Sequence, residues 1–421
     1  MASADSGLPT PYMKLRYLFA SSTILSLAVG FGGGFLFFKH QNAVPSIVTQ
    51  VINQDQGKSS AVDFSLFWQV WDRLHARYVD QDTLDSQKLV YGAIAGMVDA
   101  AGDPYTVFFE PVTAKQFEEQ VTGAFSGVGM EIGKRNDAIT VIAPIKDSPA
   151  MKAGIKTNDI IAKIDDKVTD GMSADQAVTL IRGKKGTTVK LTVIRSGQSQ
   201  PLIFTLVRDT IKIPAIDWKM IDGHIAYMQI YSFNGNVDDE FTVAAKEIAV
   251  SGADRLVIDV RGNPGGLLDA AVDMAGWLLP ANSVVVQEKD GNGLIDQLRA
   301  QGNARLAKLP TVVIMDGGSA SASEILAGAL HDDRNIPLVG QKSFGKGSVQ
   351  QVENFFDGSS LKVTIAKWLT PSGLSISKTG ITPTIEVKLD DKLLASGSYQ
   401  LGVAGKDPQF DKALEIVKGL K

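Results

Sequence analysis

Thr311-Val312-Val313-Ile314-Met315-Asp316-Gly317-Gly318-Ser319-Ala320-Ser321-Ala322-Ser323-Glu324-Ile325 reads as a buried strand, a glycine-rich turn and the opening of a helix. Four apolar residues in a row, Val312 to Met315, suit a strand covered on both faces. The turn presents hydroxyls where the first N–H groups of a helix are unpaired and can stabilise an anion. Ser321-x-x-Glu324 also fits a capping box, which explains the same residues by helix stability alone. Apolar runs at 225–230 and 256–260 alternate with helical patterns at 237–249, 267–278 and 323–330. That alternation predicts βαβ crossovers and a mostly parallel sheet.

Upstream, strands are expected at 138–145, 159–164, 188–194 and 202–207, with a helix at 173–182. Val189, Leu191 and Val193 alternate with polar residues, the period-2 signal of a half-buried strand. Together they form a compact, partly open barrel of about 85 residues. Before it, Phe64, Phe67, Trp68, Trp71, Leu74 and Tyr78 recur at helical spacing behind Asp63, a candidate N-cap. Further helices are expected at 86–100 and 113–122. At the far end, Phe410, Ala413, Leu414, Val417 and Leu420 mark an amphipathic helix.

Lys14 and Arg16 precede an uncharged run from Tyr17 to Phe38. A helix of that length spans a hydrocarbon core, and its flanking charges put the N-terminus in the cytoplasm. The expected organisation is a cytoplasmic N-terminus (1–16), a transmembrane anchor (17–38), a stalk (39–62) and a helical region (63–122). A barrel module (123–208), a large α/β body (209–390) and a helical tail (391–421) follow. The 421 residues carry a formal net charge of −4, which argues against a nucleic-acid-binding surface. The absence of cysteine removes thiolate chemistry, and four histidines without an H-x-x-x-H pair predict no metal site.

A serine nucleophile needs a base. His331 follows Ser321 by ten residues, about 15 Å along a continuous helix, out of hydrogen-bond reach. Lysine is the next candidate. Lys346 sits in Ser343-Phe344-Gly345-Lys346-Gly347-Ser348-Val349-Gln350, where flanking glycines permit close backbone approach and Phe344 could provide apolar surroundings. Burial must push its ammonium down before it can accept a proton near neutrality. A solvated lysine in a glycine-rich turn is the plain alternative. Gly340 with Gly345-Lys346 nearly makes a phosphate loop, but Gly347 replaces the magnesium-holding hydroxyl and no helix pattern follows. Arg261-Gly262-Asn263-Pro264-Gly265-Gly266 lies at a strand end, where it either offers backbone N–H groups to a carbonyl or simply turns the chain.

Taken in order, RGNPGG, GSASASEI and FGKGSVQ behind the barrel module resemble the carboxyl-terminal processing peptidases, or tail-specific proteases. Gly102-Asp103-Pro104-Tyr105 and Ser148-Pro149-Ala150 add to the likeness, which covers roughly residues 63 to 390. The resemblance implies a crotonase/ClpP-like peptidase core with a PDZ-like domain. It implies that Ser321 is the nucleophile, Lys346 its general base, and Gln350 the residue that orients the lysine. The oxyanion donors would be the N–H of Ala322 and one from Gly265 or Gly266. It further implies that Phe125, Gly127, Val128, Gly129 and Met130 form the loop that binds a peptide carboxylate. In a regular strand Lys346 and Gln350 would stand about 13 Å apart, so their cooperation requires the chain to turn near Gly347.

The expected activity is a serine endopeptidase without cofactor, acting on extracytoplasmic proteins with exposed C-termini, anchored in a membrane and homodimeric through its aromatic helices. The alternatives are a non-catalytic PDZ scaffold with a peptidase-like body and an acyl-CoA enzyme on a crotonase-like core. Two departures from the family pattern stand out: Asp316 in place of Asn, and Thr384 ending Gly380-Ile381-Thr382-Pro383.

Overall fold

The structure is a computed structural model that describes residues 62–395 and 397–421. The expected anchor at 17–38, the residues before it and nearly all of the stalk lie outside them. Among the described residues, no helix is long and apolar enough to cross a membrane. Two compact units divide between Ala93 and Ile94, within the helix Ser86–Asp99.

The first unit holds helix α1 (Ser65–Arg77) and the start of α2 (Ser86–Asp99). Phe64, not the expected Asp63, takes the N-cap position of α1, while Asp63 one residue earlier accepts the Ser65 N–H at 2.8 Å. Along this helix Phe64, Phe67, Trp68, Trp71 and His75 touch ring to ring.

In the second unit, helix α3 (Pro111–Thr122) starts on proline and ends at Gly123 in the left-handed region, a start and stop both legible as sequence signals. The PDZ-like module follows. Strand β2 (Ala124–Gly127) pairs with β9 (Asp209–Lys212), and a short helix α4 spans Pro149–Lys152. Strands β3 (Met130–Arg135), β4 (Ala138–Pro144), β5 (Ile160–Ile164), β7 (Thr188–Ile194) and β8 (Leu202–Val207) form one antiparallel sheet in that order, with β6 (Lys167–Val168) beside β5. Its inner face buries Ile139, Val141, Ile161, Ile164, Val189, Leu191 and Val193. Helix α5 (Ala174–Ile181) closes the module behind a Ser173/Gln176 capping box.

The large α/β body is a six-stranded sheet ordered β10 (Ile216–Ile221), β11 (Ile225–Ile230), β12 (Arg255–Asp259), β15 (Thr311–Met315), β16 (Leu338–Gly340) and β19 (Ile385–Glu386). Only the β10–β11 hairpin is antiparallel; the other four pairings are parallel, as the alternation predicts. Helices α6 (Val237–Val250), α7 (Leu268–Leu278) and α8 (Ala322–Arg334) cover one face with Phe241, Met274 and Leu326 against Met228, Ile258 and Met315. The other face takes the C-terminal helix Pro408–Gly419, whose Phe410, Ala413, Leu414 and Val417 pack on Tyr227, Val257, Val312 and Ile314.

An antiparallel sheet was not foreseen in the sequence. Its ten-residue strand β18 (Ser360–Leu369) pairs with β17 (Ser348–Asn354) on one edge, and with β1 (Val107–Phe109) and β13 (Val284–Asp290) on the other. Strand β14 (Ile295–Arg299) pairs with β13 beyond it. β17 is mostly exposed and carries Gln and Glu, and only the first three residues of β13 are apolar, so neither holds the long apolar run that betrays a buried strand.

Candidate active site

Ser321 stands between the fully buried β15 and helix α8, with φ 54° and ψ −117°. A non-glycine residue held there costs of order 1–3 kcal/mol, so its surroundings must enforce it. Ser319 Oγ donates to the Val260 carbonyl at 2.7 Å, and Ser323 Oγ to the Asn263 carbonyl at 3.0 Å. Both are buried and tie the serine turn to the Arg261–Gly266 loop. Of the three serines that spacing left equivalent, Ser321 is the one lining the adjoining cleft of about 370 Å³.

The loop beside it is built from its own asparagine. Asn263 Oδ1 accepts the Gly265 N–H at 2.9 Å, while Asn263 Nδ2 donates to the Ile230 carbonyl at 2.8 Å. Gly265 (φ 92°) and Gly266 (φ 147°) lie where side chains are strained. A Cβ on Gly265 would fall 2.7 Å from Ser321 Cβ, and one on Gly266 2.2 Å from the Phe233 carbonyl oxygen. Asn263 thus already occupies the Gly265 N–H. Among the described residues only the Gly266 and Ala322 N–H groups of this set lack a protein acceptor. Asp316 Oδ1 accepts from Gly262 N–H and Gly318 N–H, each at 2.9 Å, and so stitches the two turns together.

The loop rests on a buried charge cluster absent from the sequence reading. Arg261 donates to Asp259 at 2.6 Å and to Asp407 at 2.8 Å, all three side chains being at most 2% exposed. Tyr227 OH also donates to Asp259, at 2.7 Å. Burial works against the charge of the guanidinium, but the hydrogen bonds and charges of Asp259 and Asp407 outweigh it and hold the group firmly protonated.

Glu324, buried at the start of α8, does more than cap. Its Oε2 accepts from Ser321 N–H (2.8 Å) and Lys346 N–H (3.0 Å); its Oε1 accepts from Ser343 Oγ (2.5 Å) and Gly345 N–H (2.7 Å). One carboxylate therefore joins the serine turn to the lysine loop. Burial pushes its carboxyl up and the four donors pull the other way.

Lys346 lines the same cleft as Ser321. Trp368 Nε1 fixes its carbonyl at 2.8 Å, and its Nζ lies 5.4 Å over the Tyr105 ring. Among the described residues that amine makes no hydrogen bond or ion pair, nor does it bond Ser321 Oγ. Burial pushes Lys346 below the ordinary lysine range; the charge of Lys362 pushes the same way, and Glu324 opposes. Phe344, expected to shelter the amine, is 56% exposed; Tyr105 supplies the apolar contact instead. Gln350 reaches the cleft at a register shift of β17, yet its Nε2 donates to Ser348 Oγ (2.8 Å) and Thr364 Oγ1 (3.3 Å) rather than meeting the lysine. Phe117, Gln120 and Val121 of α3, with Lys362 of β18, complete walls that the sequence did not indicate.

In the PDZ-like module all five expected residues, Phe125, Gly127, Val128, Gly129 and Met130, line one pocket of about 200 Å³. Val178 and Ile181 of α5 form its apolar far wall, and Arg182 stands at its side. Arg182 pairs with Glu119 at 2.5 Å and lies 4.6 Å from the Phe125 ring centre.

Comparison with known proteins converges on one family. The model described as Peptidase family S41 matches residues 224–387, a PDZ domain model matches 140–195, and one for the activating protease CtpB N-terminal domain matches 27–113. The chain is 37% identical to the carboxy-terminal processing protease CtpA of Bacillus subtilis, over 89% of this chain and 80% of that one. It is 36% identical to CtpB of the same organism, over 92% and 80%. A solved photosystem II D1 C-terminal processing protease aligns at 29% identity and a TM-score of 0.45, over 77% of this chain and 92% of that one. With its PDZ domain and peptidase body, the chain belongs to the carboxy-terminal processing proteases, a family of serine peptidases.

Proposed function

We propose that Ser321 and Lys346 form a Ser–Lys pair that cleaves proteins whose C-termini dock in the pocket around Val128 and Gly129. The observation that carries this reading is the Glu324 carboxylate, which fixes the backbones of both residues at one cleft. Ser321 Oγ attacks the scissile carbonyl carbon as its proton passes to a neutral Lys346 amine. The Gly266 and Ala322 N–H groups hold the oxyanion. Collapse breaks the C–N bond, Lys346 returns the proton to the leaving amine, and water then hydrolyses the acyl-serine ester. The nest at Gly127–Gly129 and the apolar wall of α5 suit a terminal carboxylate and an apolar last side chain. The parallel sheet with its helical crossovers supports the crotonase/ClpP-like reading of the body.

Ser321→Ala and Lys346→Met proteins should keep their circular dichroism and lose peptide cleavage; cleavage retained by either purified variant overturns the pair. One observation favours the non-catalytic scaffold: amine and hydroxyl share no hydrogen bond. A casein cleavage assay on the full chain separates the two readings. We also place the PDZ and peptidase parts outside the cytoplasm, behind the anchor at 17–38, which protease treatment of intact cells tests. The exposed Phe64 and Phe67 support a homodimer; sedimentation showing only monomer would remove it.

A further inference from the structure

The cleft contains a second lysine that the proposed chemistry leaves unused. Lys362 rises from β18 opposite Val352, and lines the same cavity as Ser321 and Lys346. Its Nζ lies 5.4 Å from the centre of the Phe109 ring and 5.3 Å from that of Phe117. Among the described residues it has no ion-pair partner. A half-buried cation that makes no direct ion pair, in a cleft that already holds another, is costly unless its charge serves the site.

We propose that Lys362 is a positioning residue for the Ser–Lys pair: held on an aromatic platform at the cleft wall, its fixed charge drives the proton off the Lys346 amine. This rests on the Ser–Lys reading above. Two like charges in one poorly solvated cavity do not both persist, so one amine gives up its proton first. The groups facing each lysine decide which. Burial pushes the Lys362 amine down as well, but two ring faces, each favouring a cation, and the Asp103 carboxylate in the segment before β1 oppose it. Lys346 has one ring, that of Tyr105, and the carboxylate of Glu324 from α8, whose oxygens are already taken by four donors. Lys362 therefore keeps its charge and Lys346 becomes the neutral base, which is how a neighbouring cation activates a lysine elsewhere in enzyme chemistry. The charge of Lys362 acts on Lys346 in the expected direction.

The test is the pH profile of kcat/KM for a fluorogenic peptide, measured on the full chain as wild type, Lys362→Met and Lys362→Arg. Activity requires neutral Lys346, so it rises with pH along an acid limb. Removing the Lys362 charge should move that limb up by about one unit, an effect of the size expected for two charges within one cleft. Below the limb the Met variant then loses about tenfold, recovering at higher pH. The Arg variant should follow the wild-type limb. A Met limb superimposed on wild type, or an Arg limb displaced as far as that of Met, overturns the proposal. A second measurement needs no activity: in a Ser321→Ala background, the pH midpoint for labelling Lys346 with an amine reagent should rise by about one unit on adding Lys362→Gln. An unchanged midpoint overturns it equally. Failure of the Ser–Lys reading has another signature, cleavage retained by Lys346→Met, whereas an unmoved limb leaves that reading standing.

Discussion

Replacing Glu324 by glutamine tests whether one carboxylate couples nucleophile and base. The four donors around it divide evenly, Ser343 Oγ and Gly345 N–H on Oε1, Ser321 N–H and Lys346 N–H on Oε2. An amide has one acceptor oxygen, so whichever way the glutamine turns, two donors meet its NH2. Each buried donor left unpaired costs about 1–3 kcal/mol, and the neutral side chain recovers part of this because it is cheaper to bury. A net loss of about 3 kcal/mol follows. If the oxygen stays with Ser343 and Gly345, the hydrogen bonds from Ser321 and Lys346 are the ones that break. The loss then falls on kcat, by roughly a hundredfold, while KM changes little because the proposed docking pocket around Val128 and Gly129 has none of these residues in its lining. Urea denaturation and steady-state peptide cleavage on the same full-length preparation read both effects. A Glu324→Gln protein with wild-type kcat and an unshifted midpoint would refute the coupling, since no neighbouring group could replace the two missing acceptors.

Three further outcomes are expected. Lys346→Met should stabilise the fold at neutral pH: a lysine pushed below its ordinary range binds more protons unfolded than folded, so its penalty is complete below the folded value and disappears as pH rises to about 10.4, the unfolded value. A Met variant no more stable at pH 7 than at pH 10.5, relative to wild type in denaturant melts, would contradict the burial. Gly266→Ala must move the Phe233 carbonyl or leave its φ of 147°, so cleavage should drop by at least a hundredfold while binding of a C-terminal peptide, measured by fluorescence anisotropy, is unaffected. Asp407→Asn leaves the buried Arg261 under-compensated and should cost about 3–5 kcal/mol, seen as a lower urea midpoint.

Much of the architecture was legible because it is local. The strands at 188–194, 202–207, 225–230 and 311–315 fall where period and apolar runs put them. The three glycine clusters could be ranked as a group, yet Ser319, Ser321 and Ser323 could not be told apart by spacing. What separates them is that Ser319 and Ser323 reach carbonyls some sixty residues upstream, a pairing no window of sequence contains. Glu324 was readable as a cap for the same reason that its larger role was hidden: three of its four donors lie 19 to 22 residues away, beyond the helix it starts. The C-terminal helix declared its apolar face by periodicity, but its Asp407 cap gave no sign of receiving Arg261 from the loop beside the nucleophile.

These long-range contacts share a logic. Each element of the proposed chemistry sits on a different secondary structure, and each is held by a buried polar group whose partner belongs to another element. Ser321 is strained and depends on Ser319, Ser323 and Glu324; the Gly265–Gly266 loop depends on Asn263 and, through Arg261, on Asp407; Lys346 depends on Glu324 and Trp368. Gln350 is the exception, held by Ser348 and Thr364, with Asp103 accepting from the same Thr364 at 2.5 Å. For Gln350 Nε2 to donate to the Lys346 amine it must exchange one of those bonds for another, which is nearly even in hydrogen bonds and so cheap. The backbones of serine and lysine are fixed at high cost, whereas the side chains of Lys346 and Gln350 are not. Control of such a site therefore belongs to whatever shifts the walls around those two side chains, α3 and β18 above all, rather than to the nucleophile turn itself.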